Sequence, residues 1–172
     1  MGKRSTFGRV SKDFYPTPYK AIAALLPHLP PVFTYDEPCA GDGALIRHLS
    51  EHGGVCVDAS DISPMYPGIH KQDVFHRFQC FGDMFITNPP WDRDLLHPMI
   101  IHLSLIAPTW LLFDADWKHT IQAGAFSNRC RKVVSVGRVK WIPNSGSVGK
   151  DNVAWYLFDK PCDDAPTKFY WR

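Results

Sequence analysis

The sequence predicts an α/β fold in one domain spanning 1–172: a doubly wound, mostly parallel sheet of seven strands that ends in an antiparallel hairpin. Three observations predict it. Between residues 19 and 114, short apolar runs alternate with stretches of helical apolar spacing, the signature of βαβ units. The last two long apolar runs, 132–142 and 152–159, are joined by the Gly/Ser-rich PNSGSVGKD, which suits a hairpin. The chain has 172 residues, 45% hydrophobic and 21% charged, an ordinary composition for one domain with a real core.

The elements follow in order. Residues 1–13 form a basic arm. Thr17 is placed to cap a first helix with Pro18 at its first position, and Ala21, Leu25 and Leu26 give that helix an apolar face. VFTYDEPC reads as the first strand. GALIRHLSEHG reads as a helix that ends at Gly53, and VCVDAS as the second strand. QDVF is a short third strand, and DMFITN a fourth. A helix lies within LLHPMIIHLSLIA, TWLLFD is a fifth strand, and 117–128 is helical or irregular. The hairpin strands complete the seven.

Bulk properties exclude several classes. No run of about 18 apolar residues exists, and the basic start has no apolar segment of the kind a secretory signal needs. The five cysteines, Cys39, Cys56, Cys80, Cys130 and Cys162, are scattered and odd in number. That spacing offers no zinc site, so no metal is expected, and it fits a reducing, cytoplasmic setting. Net charge is only +2, yet residues 1–12 hold Lys3, Arg4, Arg9 and Lys12 without an acid. Residues 117–150 hold Lys118, Arg129, Arg131, Lys132, Arg138, Lys140 and Lys150, again without an acid. Such segregation suits a polyanionic partner, although clustered charge is also what an ordinary solvated face shows.

DEPCAGDGALI, residues 36–46, follows the first strand and opens a helix. Gly41 and Gly43 permit a tight turn and a close backbone approach. A dinucleotide fingerprint needs a third glycine where Ile46 stands. Glu37 and Asp42 flank the turn, where they repel a pyrophosphate and attract a cation. S-adenosylmethionine carries a sulfonium and an ammonium but no phosphate, so the loop favours it over NAD or ATP. Asp61 falls 18 residues after Gly43, a spacing suited to ribose hydroxyls. Asp58 competes for that role; Ile62 beside Asp61, placed to pack on adenine, favours Asp61. Asp73 is placed for the adenine amino group. A helix cap or turn is the alternative for either acid.

Asn88-Pro89-Pro90-Trp91 stops the fourth strand. Two adjacent prolines donate no hydrogen bonds, and Pro90 pushes Pro89 toward extended backbone. The chain therefore leaves the strand along a stiff path, at the place where α/β proteins keep their chemistry. A rigid connector is the plain alternative.

Together these residues resemble a family. EPCAGDG followed by NPPW is similar to motifs I and IV of the Rossmann-like amino-methyltransferases that use S-adenosylmethionine. FYPTP at 14–18 is similar to their motif X, placed ahead of motif I as in the gamma order, and SDI and QDVF look like motifs II and III. The likeness spans 14–91 and is greatest to small phage-type DNA N6-adenine enzymes, which would place the chain in a host cytoplasm. The resemblance implies that Glu37, Gly41 and Gly43 hold the methionine part of the cofactor, with Phe14, Tyr15 and Thr17 closing that end and Cys39 and Ala40 also binding the cofactor. It gives the ribose to Asp61, and the adenine to Ile62, Asp73 and Val74. Asn88, Pro89, Pro90 and Trp91 act on the target amino group, with Asn88 also near the cofactor.

For nucleic acid, Arg9, Lys118, Arg138, Lys140 and Trp141 are the candidates; Trp141 serves either as a second wall of a base pocket or as a core tryptophan. After Trp91 the sheet uses nearly all of the chain, so no separate target recognition domain is expected and specificity is short or absent. The partner is then DNA, with RNA as the alternative. A protein glutamine methyltransferase, whose motif usually ends in tyrosine, and a silent binding module of the same fold are the other readings. No membrane partner is expected, and oligomeric state, a homodimer included, is left open.

Overall fold

The computed structural model describes residues 15–142 and 149–171. The expected arm at 1–13, with Arg9, and Phe14 lie outside the described residues. One eight-stranded sheet organises the rest, in the order β3-β2-β1-β4-β5-β7-β6-β8. The strands are β1 Phe33–Glu37, β2 Gly54–Asp61, β3 His70–Lys71, β4 Met84–Thr87, β5 Thr109–Asp114, β6 Cys130–Arg138, β7 Asn152–Phe158 and β8 Lys168–Tyr170. β7 inserts antiparallel between β5 and β6, and the other pairings are parallel. This is the predicted doubly wound sheet with its terminal hairpin, plus one more edge strand.

Strand period sets the two cores. Phe85, Leu111, Phe113, Val133 and Tyr156 face one side. Their chain neighbours Ile86, Trp110, Leu112, Val134 and Trp155 face the other. Successive side chains alternate across a strand, so a fully apolar run must be covered on both faces. Helices α1 (Tyr19–Leu25) and α2 (Ala44–Ser50) cover the second face with Ala21, Ile22, Leu25, Leu45 and Leu49. Helix α3 (Arg93–Ile106) covers the first face with Leu96, Met99, Ile100 and Leu103, at the i, i+3, i+4, i+7 spacing of one helical stripe. The Asp92 carboxylate starts α3 by accepting from Asp94 N at 3.0 Å. Trp155 pins β7 to α1 through Nε1 donating to Ala21 O at 2.8 Å.

Four expectations are corrected. Thr17 does not cap α1: the cap position is Pro18, without a side-chain bond, and Thr17 is buried. QDVF is not a strand. Asp73 caps a 3-10 turn, Val74–His76, by accepting from Phe75 N at 3.0 Å, and the third strand is the two-residue His70–Lys71 just before it. The sixth strand ends at Arg138 rather than running on to 142. The sheet has eight strands, not seven, because Lys168–Tyr170 pairs with β6.

Beyond the 3-10 turn, no α-helix fills the connection from β3 to β4. An arginine stands in its place. Arg77, 3% exposed, donates to the fully buried Asp36 at 3.1 Å, to Asp58, and to Ser60 Oγ at 2.8 Å. Asp36 also accepts from the backbone N–H of Phe81 and Gly82 at 2.9 and 3.1 Å. A buried charge is tolerable when paired and hydrogen-bonded in this way, although Arg77 Nε itself is buried without a partner.

Candidate active site

The site is built at the carboxyl ends of β1, β2 and β4. After β1 the chain turns through Gly41 at φ 53° and Gly43 at φ 75°. A Cβ on Gly43 would meet nothing closer than 3.5 Å, so glycine is required there by backbone conformation and not by space. The loop is locked from several sides. Ala40 N donates to Ser60 O at 2.9 Å and Gly43 N to Ala40 O at 2.7 Å. Asp42 accepts from Ala44 N at 2.9 Å and from the Arg47 guanidinium. Asp61 accepts from Gly41 N at 2.9 Å and from Ser63 N at 2.7 Å, fastening the tip of β2 to the glycine turn.

These elements enclose a cavity of about 360 Å³. Tyr15, Thr17, Glu37, Cys39, Ala40, Gly41, Asp61, Ile62, Asp73, Val74, Asn88 and Pro90, all singled out from the sequence, line it. Gly43 sits at its edge as the cap of α2. The choice between Asp61 and Asp58 is decided by tertiary contacts: Asp58 is spent on Arg77 and does not line the cavity, while Asp61 does. Met65, Phe75, Leu95 and Met99 add to the apolar lining, as do Pro38, Ala44 and Leu45, and the first four were not singled out. Phe75 stood in the quoted QDVF, and Met99 lies on the buried stripe of α3. Met65 and Leu95 had no local signal.

The electrostatics are one-sided. Glu37 is 2% exposed, and its Oε2 has no hydrogen-bond partner. Burial, with Asp61 and Asp42 nearby, pushes its pKa well above the usual carboxylate range. An unpartnered buried carboxyl in a cavity lined by further acids is a receptor for a cation. Cys39 is no nucleophile here, since burial raises its thiol to about 12. Among the described residues no group of three or more His, Cys, Asp or Glu side chains is placed to hold a metal ion.

Asn88 is the bridge to the outside. Its Nδ2 donates to Tyr15 O at 3.3 Å, which commits the amide nitrogen and leaves Oδ1 to accept. Pro89 is buried behind it. Trp91 lies beyond Pro90, with Nε1 donating to Leu112 O at 3.2 Å. Its ring meets Trp141 edge-on at 5.7 Å, and Trp141 meets Tyr15 at 6.1 Å. Two rings that sandwich a base stand about 7 Å apart and face each other, at two contact distances of ~3.5 Å. At an interplanar angle of 82°, Trp91 and Trp141 instead meet edge to face and do not stand as opposite walls.

Arg138 and Lys140, at the end of β6, share this rim, because β6 runs parallel to β5 through the intervening β7. Lys118 does not. It lies in the 3-10 turn Ala115–His119, with Nζ 5.9 Å over the Phe169 ring of β8.

No family model matches the chain, and no curated protein matches it in sequence. Solved structures do match in shape. A Pyrococcus horikoshii protein described as an RNA methyltransferase superposes with a TM-score of 0.59 at 18% identity, covering 93% of each chain. A chain from a type I R-M system matches at 0.57 and 12% identity, over 95% of this chain and 46% of that one. A dimethyladenosine transferase from Plasmodium falciparum matches at 0.56 and 17% identity, over 86% and 63%.

The chain shares its fold with these structures and with a Listeria monocytogenes protein described as a class I S-adenosylmethionine-dependent methyltransferase, which matches at a TM-score of 0.54 and 12% identity over 96% of this chain and 68% of that one.

No helix among the described residues is long and apolar enough to cross a membrane.

Proposed function

We propose that this chain transfers a methyl group from S-adenosylmethionine to the exocyclic amino group of adenine in DNA, as a single domain with little or short sequence specificity. The observation that carries the reading is that Asn88, its amide nitrogen committed to Tyr15 O, lines the same cavity as the unpartnered carboxyl of Glu37. One side chain receives a cation and the other presents an acceptor at the adjoining rim.

The residues fit the cofactor. Glu37 takes its positive groups, Asp61 retains lone pairs for ribose hydroxyls, and Ile62, Val74 and Phe75 offer apolar surface to an adenine. When bound, S-adenosylmethionine supplies a methyl group activated by the sulfonium. The chain itself solves the other half of the problem, the poor nucleophilicity of an aromatic amine. Asn88 Oδ1 and Pro89 O accept the two amino hydrogens, which holds the nitrogen lone pair out of the ring and aimed inward. The prolines fix the carbonyl direction, so the acceptors require little reorganisation as charge develops. Trp91 offers a stacking face to an extruded base, with Trp141 set edge-on beside it.

A specific observation favours RNA as the second reading. Residues 115–126, the longest stretch between late strands, fold back so that Trp117 and Phe126 are buried, leaving no module there to grip and open a duplex. RNA loops expose bases without a flipping cost. The names of the Pyrococcus and Plasmodium proteins lie in the same direction. The test is transfer of radiolabelled methyl to DNA, RNA and protein, followed by nucleoside analysis. N6-methyldeoxyadenosine is expected. N6-methyladenosine from RNA alone would replace DNA by the second reading, label in protein would replace both, and no label in any polymer would leave a silent module.

A further inference from the structure

We propose that the free edge of the sheet, β8 with the β6 it pairs to, is a track for single-stranded nucleic acid leading to the catalytic rim; the proposal rests on the nucleic-acid reading above. β8 joins β6 through Lys132↔Lys168, Val133↔Phe169 and Val134↔Tyr170, and among the described residues it is the last strand of the sheet on that side. Phe169 is 55% exposed and Trp171 90%. Two residues apart, they present their rings on one side of the extended chain. Tyr170 turns the other way and packs on His28, ring centroids 4.4 Å apart. Lys118, which belongs to the nucleic-acid candidates but not to the rim, stands over Phe169.

Charge supports the same occupant. β6 and β8 carry Arg131, Lys132, Arg138 and Lys168, and no acid; Lys132 and Lys168 stand on the Tyr170 side, Lys132 over the Trp110 ring, and Lys118 is the cation beside Phe169. Asp163 and Asp164 lie in the turn before β8, and Asp159 sits just ahead of the start of β6, its N donating to Arg129 O at 3.0 Å. Asn128 Nδ2 donates to Asp163 there at 3.1 Å, at the end away from the rim. β8 runs parallel to β6, so a strand laid along Phe169 and Trp171 is led toward Arg138, Lys140 and the Trp141–Trp91 pair. Val134 and Arg138 are separated by about 13 Å of strand. Exposed rings beside cations are what a single strand needs, stacking for its bases and neutralisation for its phosphates. A duplex hides its bases from both rings. A second copy of the chain is a poor occupant, because a three-residue edge strand bearing lysine resists edge-to-edge pairing.

The test is fluorescence anisotropy of labelled 20-mers, single-stranded DNA, single-stranded RNA and duplex DNA, measured without cofactor. Trp171→Ala combined with Phe169→Ala is expected to weaken one or both single strands about tenfold or more and to leave the duplex unchanged. Both residues are exposed, so the fold is retained, and cofactor affinity by calorimetry should equal wild type. In transfer assays KM for the long strand should rise at constant kcat. Unchanged affinity for both single strands would overturn the proposal. So would sedimentation showing that the same substitutions dissolve a dimer, which would make the edge a self-interface. Wild-type protein that transfers no methyl would sink the enzymatic reading alone, since the binding comparison does not depend on turnover.

Discussion

Asn88 has one polar end held and one end offered, and that asymmetry makes it testable apart from folding. Asn88→Ala removes Oδ1 from the amino group and gives up one part-buried bond to Tyr15 O. Single-turnover kinetics at saturating cofactor should show a rate lower by about 100-fold or more, with cofactor affinity largely kept. Near-normal turnover in folded Asn88→Ala would reduce the loop to a stiff connector. Glu37 makes a different prediction. Its carboxyl holds a proton in the native state at pH values where the unfolded chain has lost it, because burial and the neighbouring acids raise its pKa. The unfolded state then binds fewer protons, so stability falls as pH rises from the ordinary carboxylate value toward the raised one. Glu37→Gln should flatten that slope in denaturant unfolding measured across pH. Cation binding favours the ionised form, so cofactor affinity should rise with pH over the same window. Calorimetry in buffers of different ionisation enthalpy should detect a released proton in wild type and none in Glu37→Gln.

At the scale of elements, the connection between β3 and β4 is the place where this chain departs from a fully wound sheet. A helix there would cover the outer face of β2. Instead Arg77 binds Asp36 and Asp58, and Val55 and Val57 stay about half exposed. The arginine thereby ties β1 to β2 one residue before each strand delivers its functional acid, since Asp36 precedes Glu37 and Ser60 precedes Asp61. Arg77→Met should cost about 3–5 kcal/mol of stability, because it strands two carboxylates. Chemical denaturation checks this, and a loss below about 1 kcal/mol would mean that water replaces the guanidinium at little cost. The hairpin is the second informative element. Gly149 N donates to Val139 O at 2.9 Å, so pairing resumes past the end of β6 and holds Trp141 against Tyr15 and Trp91.

The whole molecule is polarised along the sheet. β1 and β2 carry Asp36, Glu37, Asp58 and Asp61 without a cation, whereas β6 and β8 carry four cations without an acid. A net charge of +2 conceals this division; with Asp36 and Asp58 offset by Arg77, Glu37 and Asp61 leave a cation receptor at one end, and a surface for a polyanion stands at the other. Binding of nucleic acid should fall steeply with salt. Arg138→Gln with Lys140→Gln should reduce the slope of log K against log salt by about 0.7–0.9 for each phosphate that is no longer neutralised. An unchanged slope would place the phosphate-binding residues elsewhere on the molecule.

By itself the sequence determined what depends on neighbours along the chain. Alternating and helical apolar spacing marked the strands and helices that bury both faces of the sheet. Two glycines among carboxylates announced a turn built for a cation, and Asn-Pro-Pro-Trp announced a stiff end to β4. Tertiary structure decided what depends on residues far apart. Asp58 and Asp61 have similar local contexts, and only Arg77, 19 residues from Asp58, consumes one and leaves the other to the cavity. β3 has two residues and β8 three, too few to show a period, so each exists because a neighbouring strand supplies its hydrogen bonds. Lys118 shares an acid-free segment with Arg138 and Lys140, yet a 3-10 turn folds it back over Phe169, away from the rim. Trp91 and Trp141 are 50 residues apart, and whether they face each other across a base or meet edge-on depends on strand register, which no local pattern carries.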